Sequence, residues 1–448
     1  MSGESLFLGP MPLSMKPYKG TRDFYPRDKK FLRFLAEKFS NILNLYGYLE
    51  YDGPMLESFD LYAAKTGQEI VETQLYHFED RGGRKVAIRP EMTPTLARMV
   101  SAKIDELPKP IRWFSFPNLW RYERPQRGRL REHWQLNVDL LGGVNPQSEI
   151  EILSVAAELL KSLKALPFVE LRVNSRAFVN FVFEKQLSLD AKQALVLEKL
   201  IDAKAKMSEV EYLGKLADLK LTDTVVEKVE LYSRMGLEEA LKVFACPEIE
   251  ALSSVIQQIN SQYGANLAVF DPTIMRGLDY YTGMVFEAFD KSPDNPRAMF
   301  GGGRYDNLVG LFHEKKQLSG VGFGMGDVVL SQFLETHGLM PDLGQDLDVY
   351  VAYQSDDFQS SAQKISIQLR EKHFLSVVVS QEAQKIKSAF KSANRLDSTS
   401  VILLSEDEFS RNCFVWKNLS SGEQIELPIE GFLAQSSFKS ALEKLKKS

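Results

Sequence analysis

The sequence predicts an α+β protein: an antiparallel sheet interrupted by an inserted helical block and followed by a smaller α/β unit. Three observations carry this. Strand-like runs at 111–117 and 134–141 flank an arginine-rich segment, so they read as a long antiparallel hairpin instead of regular strand–helix alternation. Residues 174–263 are rich in Lys, Glu, Leu and Ala at helical spacing. Beyond Pro341-Asp342-Leu343-Gly344, strand and helix patterns alternate.

Size and charge bound the rest. At 448 residues the chain holds about three domains. Its 44% apolar and 26% charged residues exclude disordered and collagen-like chains. A net charge of −5 leaves no global positive field for a polyanion, so any nucleic-acid contact is a local patch. Cys246 and Cys413 lie far apart without neighbouring Cys or His, which excludes a disulfide framework and a tetrahedral zinc site and fits a reducing cytoplasm. Residues 1–16 read as a loose extension. Their apolar run, Leu6-Phe7-Leu8, follows Glu4 and is broken by Gly9, Pro10 and Pro12, unlike a signal peptide. No 18-residue apolar stretch suggests a membrane span.

In chain order, the sheet-bearing core begins at 17 and its first part runs to 173. Phe31, Leu35, Phe39, Ile42, Leu43 and Tyr46 recur every three or four residues, predicting a helix over 28–46 closed by Gly47. Residues 48–54 read as a strand ended by Pro54. After the helical block at 174–263, strand and glycine signals resume over 264–338. The unit at 346–448 starts with strands at 347–352, 375–380 and 401–404 and helices at 357–372 and 382–395.

Five segments carry possible chemistry. Residues 121–131 hold five arginines and one glutamate, a density that suits bidentate binding of phosphate or an RNA terminus; it also suits a solvated turn. On the next strand, alternation sets Gln135, Asn137 and Asp139 opposite Leu136, Val138 and Leu140. That polar face fits either solvent or one wall of a ligand pocket. Residues 276–283, RGLDYYTG, place an arginine, an aspartate and two tyrosines between exposed glycines, although paired tyrosines in a strand also serve as packing. The glycines of 301–306 (GGGRYD) and 320–326 (GVGFGMG) permit close backbone approach but match neither a Walker loop nor a Rossmann fingerprint.

Together and in order, these segments resemble the histidyl-tRNA synthetase family of class II aminoacyl-tRNA synthetases, as do Lys19-Gly20-Thr21-Arg22-Asp23 and Arg89-Pro90-Glu91-Met92-Thr93-Pro94. The resemblance runs from Lys19 onward. It implies a six-stranded antiparallel catalytic sheet, a homodimer built on the 28–46 helix and the strand after it, and a C-terminal anticodon-binding α/β domain. It implies a ligase that activates L-histidine with ATP and Mg²⁺ and charges tRNA(His), with no protein-held metal site and no membrane partner. Residue by residue, Glu91, Met92, Thr93 and Gln135 fall where the family holds the amino acid, and Asp139 and Tyr281, with Tyr280 close by, where it reads the imidazole. Many bacterial relatives carry glutamate where Asp139 stands. Arg121 and Arg276 fall on the catalytic arginines, Arg121, Glu123 and Arg129 on the ATP contacts, and Arg124 and Gln126 on the tRNA acceptor end. The third motif departs from the pattern: Val329 stands where an arginine is usual. The alternative of the same family is a histidine-sensing regulatory subunit of ATP phosphoribosyltransferase, which typically lacks the C-terminal domain and has degraded arginines.

Overall fold

The structure is a computed structural model and describes residues 14–63, 73–204, 207–275, 281–307, 309–313 and 316–445. The expectations for Arg276, Tyr280 and most of the 1–16 extension lie outside the described residues. The chain divides into two compact units between Pro341 and Asp342.

The first unit opens with α1 (Pro26–Leu45), which starts on a proline, where a missing N–H costs nothing. The Asp28 carboxylate accepts the Tyr25 N–H at 3.1 Å, closing the first turn. The helix buries Leu32, Leu35, Phe39 and Leu43, and Gly47 just beyond its end takes φ +76°. The strand expected at 48–54 shrinks to β1 (Leu49–Glu50). Asp52 and Gly53 turn aside because the Arg89 guanidinium draws both, donating from Nη1 to Asp52 Oδ1 and to the Gly53 carbonyl at 2.7 Å each.

A three-stranded sheet follows, with β2 (Leu56–Ser58), then α2 (Phe59–Ala63), β3 (His77–Glu79) and β4 (Lys85–Ile88). After α3 (Thr93–Ala102) come β5 (Ile111–Ser115), β6 (Asn118–Trp120), β7 (Glu132–Leu141), α4 (Gln147–Ser162) and β8 (Val169–Ser175). The helices α5 (Arg176–Asn180), α6 (Ala191–Ala203), α7 (Glu209–Asp218), α8 (Asp223–Arg234), α9 (Leu237–Val243) and α10 (Pro247–Tyr263) occupy the helical stretch. Asn174, read from sequence as its first residue, belongs to β8. Its Nδ2 donates to the carbonyls of Pro272 and Ile274, at 3.2 and 3.1 Å, fastening the strand to the chain that returns from the helices. The unit closes with β9 (Ala268–Phe270), β10 (Met284–Asp290), β11 (Ala298–Tyr305), β12 (Gly320–Gly326) and α11 (Asp327–Thr336).

The main sheet runs β1-β5-β7-β12-β11-β10-β8-β9, with β6 paired to β7. Every pairing from β5 to β8 is antiparallel, which gives the six-stranded antiparallel core that the resemblance implies. β1 and β9 extend its edges in parallel, an addition the hairpin signals did not announce. Leu136, Val138 and Leu140 of β7 and Val321, Phe323 and Met325 of β12 bury into one face, against apolar residues of α1, α4 and α10. A second cluster, including Met92, Leu96, Leu141 and Tyr305, covers part of the other face.

The second unit contains β13 (Leu347–Tyr353), α12 (Gln359–His373), β14 (Val377–Val379), α13 (Ile386–Arg395), β15 (Ser398–Leu404), α14 (Glu406–Ser410), β16 (Cys413–Asn418), β17 (Gln424–Pro428) and α15 (Ser436–Leu445). Its sheet runs β14-β13-β15-β16-β17, parallel across the first three strands and antiparallel across the rest. The helix expected from 382 starts at Ile386, because the Gln384 N–H is spent on the Tyr353 carbonyl at 2.8 Å and holds that stretch extended.

Candidate active site

The arginine-rich segment closes as a tight turn. The Gln126 N–H donates to the Arg129 carbonyl at 3.0 Å and the Arg129 N–H to the Gln126 carbonyl at 2.9 Å, with Gly128 at the positive φ of +80° that the turn demands. Its arginines part company. Arg131 is buried, stacked 3.9 Å from the Tyr122 ring centre, and donates to the Tyr18 hydroxyl at 2.9 Å. Arg127 donates to Asn295 Oδ1 at 3.3 Å, and Arg124 is exposed. Only Arg121 and Arg129 line the cavity beside the turn.

That cavity, about 290 Å³, gathers side chains from five places in the chain. Arg121 is aimed by its Nε, which donates to the Pro90 carbonyl at 2.9 Å. The 89–93 loop is held in turn by Arg89, whose Nε donates to the Asn118 carbonyl at 3.0 Å. Glu91 and Thr93 then face the cavity, while Met92 points into the core with no exposed surface. Gln135, Asn137 and Asp139 form one wall, as the alternation on β7 predicts. Tyr281 and Tyr305 complete it.

The floor is made of glycine. Along β12 the positions on the β7 wall's face are 320, 322, 324 and 326, all glycine, paired in register with Leu141, Asp139, Asn137 and Gln135. A Cβ on Gly322 would fall 2.4 Å from Asp139 Oδ1, and one on Gly324 would fall 2.9 Å from the Gln135 amide carbon. The polar side chains of β7 therefore lie flat over the neighbouring strand only because nothing rises from it.

Electrostatics separates the two ends of the cavity. Burial pushes the Asp139 carboxyl up to about 7, even though the Tyr305 hydroxyl donates to Oδ1 and pulls the other way. Burial, reinforced by Arg121 and then Arg22, drives the His133 imidazole down to about 3, so it lines the cavity uncharged. Arg121 has no carboxylate partner among the described residues, whereas Arg129 Nη1 stands 3.6 Å from Glu123 Oε2. One end thus offers a buried carboxyl with phenols, suited to a hydrogen-bonding heterocycle. The other offers guanidinium groups, suited to phosphate.

Of the residues singled out from sequence, Glu91, Thr93, Arg121, Glu123, Arg129, Gln135, Asp139 and Tyr281 are brought together here. Met92, Arg124 and Gln126 are not: the Gln126 side chain accepts instead from Arg297 Nη2 at 3.2 Å. Val329 lines the cavity on α11, packed against Gly128 of the turn, where an arginine was looked for. Sequence reading passed over Tyr305 and His133. The strict every-second-residue glycines of 320–326 were the available sign that a ligand, or side chains serving one, lies across that strand.

A six-stranded antiparallel sheet with its cavity on one face, an arginine hairpin beside an amide-and-carboxylate wall, and a separate mixed-sheet unit define a class II aminoacyl-tRNA synthetase. Comparison narrows the class. A profile described as Histidyl-tRNA synthetase matches residues 20–327, and one described as Anticodon binding domain matches 348–435. The histidine–tRNA ligase of Leptospira biflexa serovar Patoc (strain Patoc 1) is 41% identical over 97% of this chain and 98% of its own. That of Thermoplasma volcanium is 36% identical over 92% and 96%. The crystal structure of histidyl-tRNA synthetase from Nostoc sp. PCC 7120 superposes with a TM-score of 0.81 at 20% identity, covering 97% of this chain and 99% of that one. The chain belongs to the histidyl-tRNA synthetase family.

Proposed function

We propose that the protein is a histidine–tRNA ligase that converts L-histidine and ATP to histidyl-adenylate and then transfers the histidyl group to the 3′ end of tRNA(His). One observation carries the reading: Arg121 shares a single cavity with Glu91, Thr93, Gln135, Asp139 and Tyr281. Glu91, Thr93 and Gln135 hold the α-amino group, and Asp139 and Tyr281, with Tyr280, satisfy the imidazole. An imidazole presents one donor and one acceptor, and an isostere lacking them strands buried polar atoms, which costs ~10⁴–10⁵ in discrimination at sites built this way.

In the first step a histidine carboxylate oxygen attacks the α-phosphorus of ATP in line, and the bond to pyrophosphate breaks. The nucleophile is already ionised, so catalysis reduces to positioning and to stabilising charge on the phosphate oxygens, the work of Arg121 and Arg276. Arg129 serves the outer phosphates, and Glu123 beside it is a further ATP contact. Mg²⁺ enters with ATP as its counter-ion; among the described residues no group of three or more His, Cys, Asp or Glu side chains is placed to hold a metal. In the second step the ribose hydroxyl at the tRNA 3′ end attacks the activated carbonyl and releases AMP, with Arg124 and Gln126 meeting the acceptor end. The second unit reads the anticodon. The enzyme acts in the cytoplasm as a homodimer formed through the α1 region; among the described residues no helix is long and apolar enough to cross a membrane. The regulatory-subunit alternative is not favoured, since the C-terminal unit matches an anticodon-binding profile and Arg121 is in place.

The test is ATP–pyrophosphate exchange, expected with histidine and not with other amino acids, followed by charging of tRNA(His). Asp139→Ala and Tyr281→Phe mainly raise the KM for histidine, whereas Arg276→Ala mainly lowers the adenylation rate. Histidine binding without exchange overturns the reading.

A further inference from the structure

The Asp139 carboxylate is not simply presented to the cavity; it is held. The Tyr305 hydroxyl, 166 residues away in sequence, donates to Oδ1, and among the described residues no donor reaches Oδ2. Tyr305 is itself seated: the residue is 3% exposed, and its ring lies so close over Gly320 that a Cβ there would come within 2.4 Å of it. The same Asp139 oxygen rests above Gly322. Two glycines of one strand therefore fix the phenol and the carboxylate relative to each other.

We propose that Tyr305 is the positioning residue of the amino-acid pocket, its hydroxyl holding Oδ1 of Asp139 so that Oδ2 is turned to accept the N–H of the histidine imidazole. This rests on the reading that Asp139 binds the imidazole, and it assigns a role to a side chain which that reading leaves idle. A short carboxylate accepting from a rigid phenol loses little rotational freedom when the ligand arrives, so more of each hydrogen bond appears as affinity. The donation also favours the ionised carboxylate, the form that accepts from an imidazole N–H.

The titratable groups that face Asp139 are phenols: Tyr305 from β11, Tyr281 ahead of β10, and Tyr51 and Tyr48 flanking β1, the last two held neutral by burial. β5 and β12 set only Trp113 and Gly322 opposite it in register. Glu91 and Arg121 line the same cavity, and His133 is uncharged. Without the phenol's donation the Asp139 carboxyl rises above its already elevated position near 7.

The experiment follows kcat/KM for histidine from pH 5.5 to 9 in pyrophosphate exchange for wild type, Tyr305→Phe, Asp139→Asn and Asp139→Ala. Free histidine contributes the same imidazole titration to every profile, so a displacement between variants belongs to the enzyme. Tyr305→Phe is expected to raise the histidine KM about tenfold, the scale of one hydrogen bond to a charged group, to leave the ATP KM within about twofold, and to move the acid limb to higher pH. A purely packing role for the ring moves none of these. Asp139→Asn keeps an acceptor for the phenol but cannot ionise, so its limb retreats to that of the substrate alone. If Asp139→Ala is impaired while Tyr305→Phe matches wild type in KM and limb, the positioning role is overturned and the assignment of Asp139 stands. If Asp139→Ala keeps the wild-type histidine KM, the assignment itself falls. Should Tyr305→Phe unfold, Asp139→Asn still decides: a limb unchanged from wild type overturns the proposal.

Discussion

Arg22 Nη2 donates to Asp327 Oδ2 at 2.7 Å, joining residues 305 positions apart, while the other oxygen of the same carboxylate accepts the Trp134 N–H at 2.9 Å. One carboxylate thus ties the segment before α1 and strand β7 to the first residue of α11, next to the cavity wall formed by His133, Gln135 and Gly326. Burial raises the Asp327 carboxyl above its ordinary value, and Arg22 opposes that rise. Removing Arg22 leaves the carboxyl higher still. A group whose folded value is raised supports the fold below the ordinary carboxylate range and loses that support as pH climbs through the folded value. Arg22→Ala should therefore cost about 2 kcal/mol near neutral pH, less than a fully buried pair because Arg22 is 30% exposed, and the loss should shrink toward pH 4.5. Urea unfolding of both proteins across pH 4.5–8 checks this; a loss independent of pH contradicts it.

Gly322→Ala and Gly326→Ala separate the two kinds of glycine on β12. The first methyl lands 2.4 Å from Asp139 Oδ1 and 2.5 Å from the Val138 carbonyl, whereas the second meets nothing within 4 Å. Overpacking against backbone costs about 1–3 kcal/mol and displaces Asp139, so Gly322→Ala should lower the melting temperature and raise the histidine KM at least tenfold. Gly326→Ala should melt as wild type does. Equal melting temperatures for the two variants would refute the glycine floor.

What was legible in the sequence was what local periodicity encodes. The alternation of six residues, Gln135 to Leu140, announced which side chains of β7 line the cavity, and the α1 spacing announced its buried face. The arginine hairpin was visible as a segment, yet the separation of its arginines was not, because Arg131 is claimed by Tyr18 and Arg127 by Asn295, residues distant in the chain. Tyr305 escaped for the same reason: its importance lies in Asp139, which no spacing rule connects to it. The parallel edges β1 and β9 and the final β16–β17 hairpin were settled by pairing with strands already in place rather than by their own composition.

Below the pocket, Arg304 is paired with Glu149 through Nε, with both side chains nearly out of solvent at 7% and 2%, and with Asp306 through Nη1 at 3.1 Å. Its carbonyl accepts the Thr282 N–H at 2.8 Å, next to Tyr281. Breaking a buried pair strands the surviving charge, so Glu149→Ala should destabilise by about 3–5 kcal/mol, and replacing both partners with apolar residues should restore much of it. A double-variant cycle by chemical denaturation measures the coupling; additive losses would show that the two groups act independently.

The absence of a cation at Val329 makes a last prediction that does not depend on the amino-acid pocket. Arg129 and Val329 line the same end of the cavity, Arg129 from the hairpin and Val329 from α11, with Gly128 of the turn packed on the valine. If the outer phosphates of ATP lie at this end, Arg129 is, among the described residues, the guanidinium placed to meet them, where two would otherwise share the charge. It is 58% exposed and only loosely paired with Glu123, so releasing it toward a phosphate costs little. Arg129→Ala should therefore raise the ATP KM about tenfold with the histidine KM unchanged, an effect that weakens in high salt. Val329→Arg in that background should recover several-fold of the loss, because it returns a charge from the opposite wall. In wild type the same substitution should add less, since the site already holds one arginine. An ATP KM indifferent to Arg129 would place the outer phosphates elsewhere, and a double variant no better than Arg129→Ala would mean that the α11 wall does not face them.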